Sequence, residues 1–370
     1  MKTKIIRTIY AIFLKRFFFR FDPEHVHNRM LILGSILGRY SLLRTLTQKL
    51  FYFQDDILSQ TIAGIKFPNP VGLSAGFDKD AMLLEILPPV GFGYMEIGSV
   101  TLHAYKGNAR PRLYRLPKSK ALTVYYGLKN EGVEVILNRV RKRINKNFKV
   151  GISIARTNST QTSELEAGIE DYYQCTKKVL DSKLVDYITI NISCPNTFGG
   201  EPFTTPQRLE KLLIRLMSLK PRIPVFVKMP IDLSWKEFDS LLKIIIKNKV
   251  TGVVIGNLTK ERESNLIVDA IPDHIKGGIS GMPTQELSDD LIRKTYYHYR
   301  EELIIIGVGG IFSAEDAYRK IKYGASLVQL ITGMIYEGPQ LIGEINRDLV
   351  KLMYRDGYKT LSQAIGSDLT

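Results

Sequence analysis

The stretch LIIIGVGGIFSAEDAYRKIKYGASLVQLITG (303–333) reads as strand, helix, strand. Leu303 to Gly309 is a β-branched run closed by glycine, and Leu327 to Gly333 is a second apolar run of the same length. Between them, Ala314 to Tyr323 places apolar residues at three- and four-residue intervals, the spacing of one helix face. Working outward, the same alternation reaches back to about residue 59. Further strands are expected at Val71 to Ala75, Tyr94 to Val100, Val150 to Ala155, Tyr187 to Ser193, Val225 to Met229 and Gly252 to Leu258, which makes eight. Helical patterns such as Leu209 to Leu219 and Trp235 to Lys247 fall between them. Alternating βα units of this number most simply close into an α/β fold, the (β/α)₈ TIM barrel. A doubly wound open sheet is the alternative, because a strand count alone does not prove closure.

A chain of 370 residues with 44% apolar and 24% charged residues can bury one large core, which excludes disordered and collagen-like classes. Its net charge of +15 admits an anionic substrate, a nucleic acid or an anionic membrane surface as partner. Residues 1–58 carry ten Lys/Arg against four acids, so a short segment holds a large share of the excess. There, MKTKIIRTIYAIFLKRFFFRF sets Ile5, Ile9, Ile12 and Phe13 at helical spacing among Lys2, Lys4 and Arg7. Lys15 and Arg16 cut the apolar run well short of the ~20 residues a spanning helix needs. The pattern suits an amphipathic helix lying in a membrane interface. A second helix, approximately Val26 to Tyr40, adds the stripe Leu33, Ile36, Leu37 and Tyr40. Packing of both helices on the main domain is the plainer alternative. The expected organisation is a helical segment over 1–58 and a barrel over 59–370.

In a barrel, chemistry collects where strands end. The expected strand ends are polar and glycine-rich: SAGFDKD (74–80), EIGSVT (96–101), NISCPN (191–196), VKMP (227–230), GNLT (256–259), GGISG (277–281), GVGG (307–310) and ITGM (331–334). The GVGG and ITGM pair, after strands 7 and 8, stands where many barrels bind phosphate through backbone N–H groups. Lys79 and Lys228 end strands 1 and 5, and a lysine at a barrel mouth calls for an anion or an electron-rich ring such as a flavin. Asn191, Asn196 and Asn257 are turn formers when single, yet three on one rim suit an amide-rich planar heterocycle. Cys194 closes strand 4 before a Gly/Pro/Thr segment, FGGEPFTTP (198–206), that reads as a lid. A thiol lowered by nearby cations can act there as general base. Cys175, inside a helical pattern, reads as inert packing. With two cysteines, no CxxC and no His pair at i, i+4, no disulfide framework or metal site is expected, and a reducing compartment is.

FPNPVGLSAGFDKDA (67–81), GFGYMEIGSVT (91–101), PRLYRL (111–116), NISCPNT (191–197), GGISG (277–281), IIGVGGI (305–311) and GASLVQLITGMIYEGP (324–339) together resemble dihydroorotate dehydrogenase, from about FRFDPEHVH (19–27) to the C-terminus. The basic, apolar start resembles the membrane-associated, quinone-reducing branch, in which two N-terminal helices cap the barrel and admit the quinone. The resemblance implies bound FMN, oxidation of dihydroorotate to orotate in pyrimidine synthesis, and a peripheral position on the cytoplasmic side of the cell membrane. Carried over, Ala75, Gly76, Lys79, Ser99, Asn191, Lys228, Gly256, Gly281, Gly310, Thr332 and Gly333 would hold FMN. Lys79, Asn191, Asn196, Thr197 and Asn257 would hold the substrate, Cys194 would take the C5 proton, and Arg112 would face the quinone entrance.

Three positions depart from that pattern. Cys194 stands where this branch has serine, Val124 where an orotate-binding asparagine is usual, and Ser153 where an asparagine contacts the flavin. Losing a buried amide partner costs about 1–3 kcal/mol of binding unless Tyr125 or Tyr126 substitutes. A related flavin barrel acting on another dihydropyrimidine therefore stays open. A tRNA-dihydrouridine synthase would use the cysteine and the charge, but the 37 residues after Gly333 are too few for a separate RNA-binding domain. RVRKRINKNFK (139–149) reads as a solvated helix face rather than a nucleic-acid site, and a non-catalytic flavin-binding barrel fits the polar rim poorly.

Overall fold

The computed structural model describes residues 2–369. All eight expected strands form one closed parallel barrel, in chain order Val71–Leu73, Tyr94–Val100, Lys149–Ile154, Tyr187–Asn191, Val225–Met229, Gly252–Ile255, Ile304–Val308 and Leu327–Leu330. The last pairs with the first through Val328 and Val71, so the open-sheet alternative does not apply. Several strands end earlier than the apolar runs suggest, because their final residues already curl into the loops at the mouth. In the stretch that decided the fold, the helix is Ala314–Lys322. Ser313 caps it by accepting from Asp316 N, and acids in the first turn with bases in the last match the helix dipole. Ala317, Tyr318 and Ile321 form its buried face.

The base of the barrel is filled by Tyr94, Tyr187, Phe226, Val254, Ile306 and Leu327, plugged from below by Phe67 of a short hairpin, Gln60–Ile62 with Ile65–Phe67. The tyrosines fit because Gly72 pairs in register with Tyr94 and Gly151 with Tyr187. A Cβ on Gly151 would lie 2.1–2.5 Å from atoms of the Tyr187 ring. Cys175 is fully buried within Leu165–Ser182, among the core residues.

Two features differ from the sequence reading. The GGISG run is not a barrel strand end. Gly278–Gly281 pairs antiparallel with Ala121–Val124, which pairs in turn with Leu113–Leu116, forming a three-stranded sheet outside the barrel. The N-terminal segment holds three helical stretches rather than two. Lys2–Ile9 runs through a π-helical turn, Tyr10–Leu14, into Lys15–Phe18, followed by Pro23–Arg39 and by Ser41–Phe51. Tyr40 leaves the helical region (φ −99°, ψ 127°) and separates the last two. No helix among the described residues is long and apolar enough to cross a membrane. Ile5, Ile9, Ile12, Phe13, Leu33, Ile36 and Tyr40 are exposed, whereas Leu37 packs on the core, and the Lys2 and Lys4 side chains lie outside the described residues.

Gly151→Ala should destabilise the barrel by about 1–3 kcal/mol through overpacking against Tyr187. Thermal denaturation should show a lowered Tm that Tyr187→Leu in the same chain partly restores; an unchanged Tm would show that the base is not close-packed there.

Candidate active site

Three adjoining cavities open at the C-terminal ends of the strands. The first, of about 500 Å³, is bounded by Gly256, Gly281, Gly310, Thr332 and Gly333. The second, of about 890 Å³, shares Ala75, Lys228, Asn257 and Thr332 with it and continues to Gly76, Lys79, Ser99, Asn191, Cys194 and Asn196. The third, of about 850 Å³, meets the second at His27, Phe77 and Ile335 and runs out beneath the N-terminal helices.

At the glycine-lined end, backbone strands and loops approach so closely that side chains are excluded. A Cβ at Gly333 would sit 1.9 Å from the Ile311 carbonyl oxygen, and one at Gly256 2.1 Å from that of Val308. Gln285 fixes the neighbouring turn by donating its amide to the Gly310 carbonyl and to Asp316. This cradle presents backbone rather than side chains.

The central cavity holds two enclosed cations. Lys228 is 5% exposed, and its amine reaches Ser74 Oγ at 3.3 Å. Burial lowers its pKa, opposed chiefly by Glu96, a fully buried carboxyl that accepts from Thr189 Oγ1 at 2.7 Å. Lys79 donates to the Gly76 carbonyl at 2.6 Å and lies 4.0 Å above the Tyr126 ring. Burial pushes its pKa down to about 8, with Asp80 acting against that. The asparagines are held by their own contacts. Asn191 Nδ2 donates to Ser99 Oγ (2.8 Å), Asn196 Nδ2 to the Val124 carbonyl (2.8 Å), and Asn257 Nδ2 to Ser193. Cys194 lines the cavity, but burial pushes its thiol up to about 11. The expectation that cations lower it is corrected: desolvation outweighs the downward pull of the Asn196 backbone N–H and, after it, of Arg156 and Lys228.

Some expected residues stand elsewhere. Ser153 does not line the cavities; its hydroxyl bonds Ser99 Oγ at 2.8 Å and so stands one residue behind the wall. Thr197 turns away, donating to the Gly200 carbonyl at 2.6 Å. Arg112 does not line the outer cavity. It pairs with Glu24 at 3.3 Å and donates to the Asn108 carbonyl, whereas Arg115 lines that cavity, with its guanidinium 4.6 Å from the Phe19 ring. Arg112 stands just before the strand Leu113–Leu116, where its carbonyl still accepts from Tyr125 N–H, and being an odd number of residues from Arg115 it projects from the opposite face, an alternation that PRLYRL itself contains. The sequence reading also missed His27, which lines both the second and third cavities. Only its place in the second helix could have signalled it.

A family model described as dihydroorotate dehydrogenase matches residues 57–353. The chain is 36% identical over 361 residues to dihydroorotate dehydrogenase (quinone) of Trichodesmium erythraeum, covering 93% of this chain and 94% of that one. It is 37% identical over 306 residues to the protein of that name from Natronomonas pharaonis, covering 83% and 84%. Among solved structures, that of DHODH in complex with ferulenol from Eimeria tenella superposes with a TM-score of 0.83 at 27% identity, covering 94% of this chain and 96% of that one.

Burial, with Lys79 and Lys129 nearby, pushes His27 down to about 3. Its Cε1 resonance should therefore keep the neutral-imidazole position from about pH 8 to about pH 5. A midpoint near the unperturbed value of about 6.5 would show that water reaches the ring freely.

Proposed function

The chain belongs to the dihydroorotate dehydrogenase family, and from that premise we propose that it oxidises dihydroorotate to orotate with FMN as cofactor and a quinone as electron acceptor, a step of de novo pyrimidine synthesis. The observation that carries this assignment is the adjacency of three cavities that share lining residues, with Cys194, Lys79 and Lys228 in the middle one.

The residues fit FMN. The glycine-lined end leaves room for a phosphate against Gly281, Gly310, Thr332 and Gly333, and the Lys228 ammonium faces the cavity with one hydroxyl partner, open to an electron-rich ring. Ala75, Gly76, Lys79, Ser99 and Asn191 would border that ring, with Ser153 holding Ser99 and Gly256 giving backbone clearance. The chemistry that bound FMN would supply is a two-electron acceptor for hydride from substrate C6 and a donor of electrons to a quinone.

The protein's own part is to place the substrate and move one proton. Lys79 meets the carboxylate, while Asn191, Asn196 and Asn257 offer amide donors and acceptors to the pyrimidine edge. Thr197 contributes by fixing the Cys194 loop rather than by contact. Cys194 Sγ removes the C5 proton. Held up to about 11, the thiol is protonated at neutral pH, so its thiolate fraction limits the step. Val124 lines the site where an amide is usual, and the Tyr126 hydroxyl, buried and without a hydrogen-bond partner, is the group positioned to replace it. The outer cavity, walled by Tyr10, Phe18, Phe19, Val26 and Met30, suits the quinone. The exposed apolar side chains of the N-terminal helices, Phe13 and Leu42 foremost, and the local positive charge support peripheral seating on the cytoplasmic face of the cell membrane. The same Val124 supports a second reading, oxidation of a different dihydropyrimidine.

Anaerobic addition of dihydroorotate to the flavin-loaded protein should bleach the flavin band, and a quinone should restore it. A band unchanged by dihydroorotate but bleached by another dihydropyrimidine would transfer the assignment to that substrate. Cys194→Ala should slow bleaching by about 10²–10⁴-fold while FMN stays bound. In the wild type the rate should climb with pH by up to about tenfold per unit across the neutral range, because the basic form is the thiolate. A flat profile would place the controlling proton transfer elsewhere.

A further inference from the structure

The Arg112 side chain, displaced from the role expected for it, belongs to a chain of contacts that joins the N-terminal helices to the substrate loop. Asp22 caps the helix Pro23–Arg39 and places Glu24 in its first turn. Glu24 is 3% exposed, and its carboxylate meets Arg112 and Arg110 at 3.3 Å and Lys129 at 4.0 Å. Arg112 in turn donates Nε–H to the Asn108 carbonyl at 2.6 Å.

Asn108 is the hub. Its backbone N–H donates to the Tyr126 carbonyl (3.1 Å), its Oδ1 accepts from the Tyr105 hydroxyl (2.9 Å), and its Nδ2 donates to the Asn196 carbonyl (2.9 Å). Gly127 crosses directly over this side chain, where a Cβ would lie 2.3 Å from Asn108 Oδ1. Asn158 adds a parallel link, donating to the Gly127 carbonyl (3.0 Å) and accepting from Phe198 N–H (2.7 Å). Asn196 closes the circuit by donating to the Val124 carbonyl. Every polar group of Asn108 is thus engaged, and its neighbours on the far side are the loop of Cys194 and the Val124–Gly127 wall.

We propose that Glu24 is a positioning residue for the substrate, acting through Arg112 and Asn108 to set the Asn196 backbone, so that the seating of the N-terminal helix is transmitted to the pyrimidine site. A buried carboxylate with three cationic neighbours cannot shift without leaving charge unpaired, which makes the link stiff. Asn108 and Asn158 both meet the segment of Asn196 and Phe198, which lies outside the barrel strand Tyr187–Asn191, so the link from the helix ends on a loop rather than on the barrel. This inference rests on the functional assignment above.

The test measures orotate binding to the flavin-loaded protein by the change in its absorbance. Glu24→Gln and Asn108→Ser should each weaken orotate binding by about tenfold, and the double variant should bind no worse than the weaker single. Flavin reoxidation by quinone should be unchanged in Asn108→Ser, and its Tm should separate a shifted loop from a failing fold. If Glu24→Gln does not fold, Arg112→Lys decides the upstream link, because it keeps a cation beside Glu24 but removes the Nε–H donated to the Asn108 carbonyl, and the same weakening of orotate binding is expected. Wild-type affinity in Asn108→Ser, or losses that multiply in the double variant, would overturn the relay. A wild-type protein that neither shifts with orotate nor bleaches with dihydroorotate would overturn the functional assignment, and the relay with it.

Discussion

Two ammonium groups enclosed at the mouth of one barrel are the constraint around which the site is built. Lys79 and Lys228 lose most of their hydration there, a cost that local structure has to offset. Lys228 does so with Ser74 and with the field of Glu96, which is itself held in the barrel interior by Thr189 and Gln329. Lys79 uses the Gly76 carbonyl, the Tyr126 ring and two aspartates, Asp78 and Asp80. Asp78 accepts from Met82 and Leu83 N–H and so orders the loop after the first strand. Barrel interior, first loop and outer sheet are thus each tied to a lysine. The arrangement suits a site that receives an anion and an electron-rich ring together, since their arrival pairs charges already desolvated.

How far this could be read from sequence depended on whether a feature was local. Strands buried on both faces are continuous apolar runs, and all eight were legible as such. Glycines at strand ends and the two lysines followed, because their position in the repeat fixes where they point. The three-stranded sheet was not legible. Its GGISG strand has almost no side chains to show an alternation, and its partners lie more than 150 residues away. The third N-terminal helix was hidden because nothing in SLLRTLTQKLF (41–51) separates it from its predecessor except a backbone break at Tyr40. The thiol of Cys194 was misjudged for a different reason. Cations nearby are visible in the sequence, whereas the depth that outweighs them exists only after folding.

Asn191, Ser99 and Ser153 show how a substitution can be absorbed. Ser153 is too short to reach the cavity, and it meets the Ser99 hydroxyl, which in turn accepts from Asn191. The wall keeps its hydrogen bonds with one fewer amide facing inward. Val124 itself offers no side-chain hydrogen bond, and the cavity wall two residues on carries the buried, unpartnered hydroxyl of Tyr126.

The passage from the glycine-lined end to the outer helices changes character at His27. On one side stand fixed positive charges and amides; on the other, Phe18, Phe19, Val26 and Met30 with a neutral imidazole at the junction. One corridor therefore behaves as two immiscible solvents in series. A small carboxylate leaves both ammonium groups behind by moving outward past the ring, and a lipophilic carrier moving inward meets an apolar wall in which Arg115, laid over Phe19, is the charged lining residue. Polarity alone thus favours an anion on one side of His27 and a lipophilic carrier on the other.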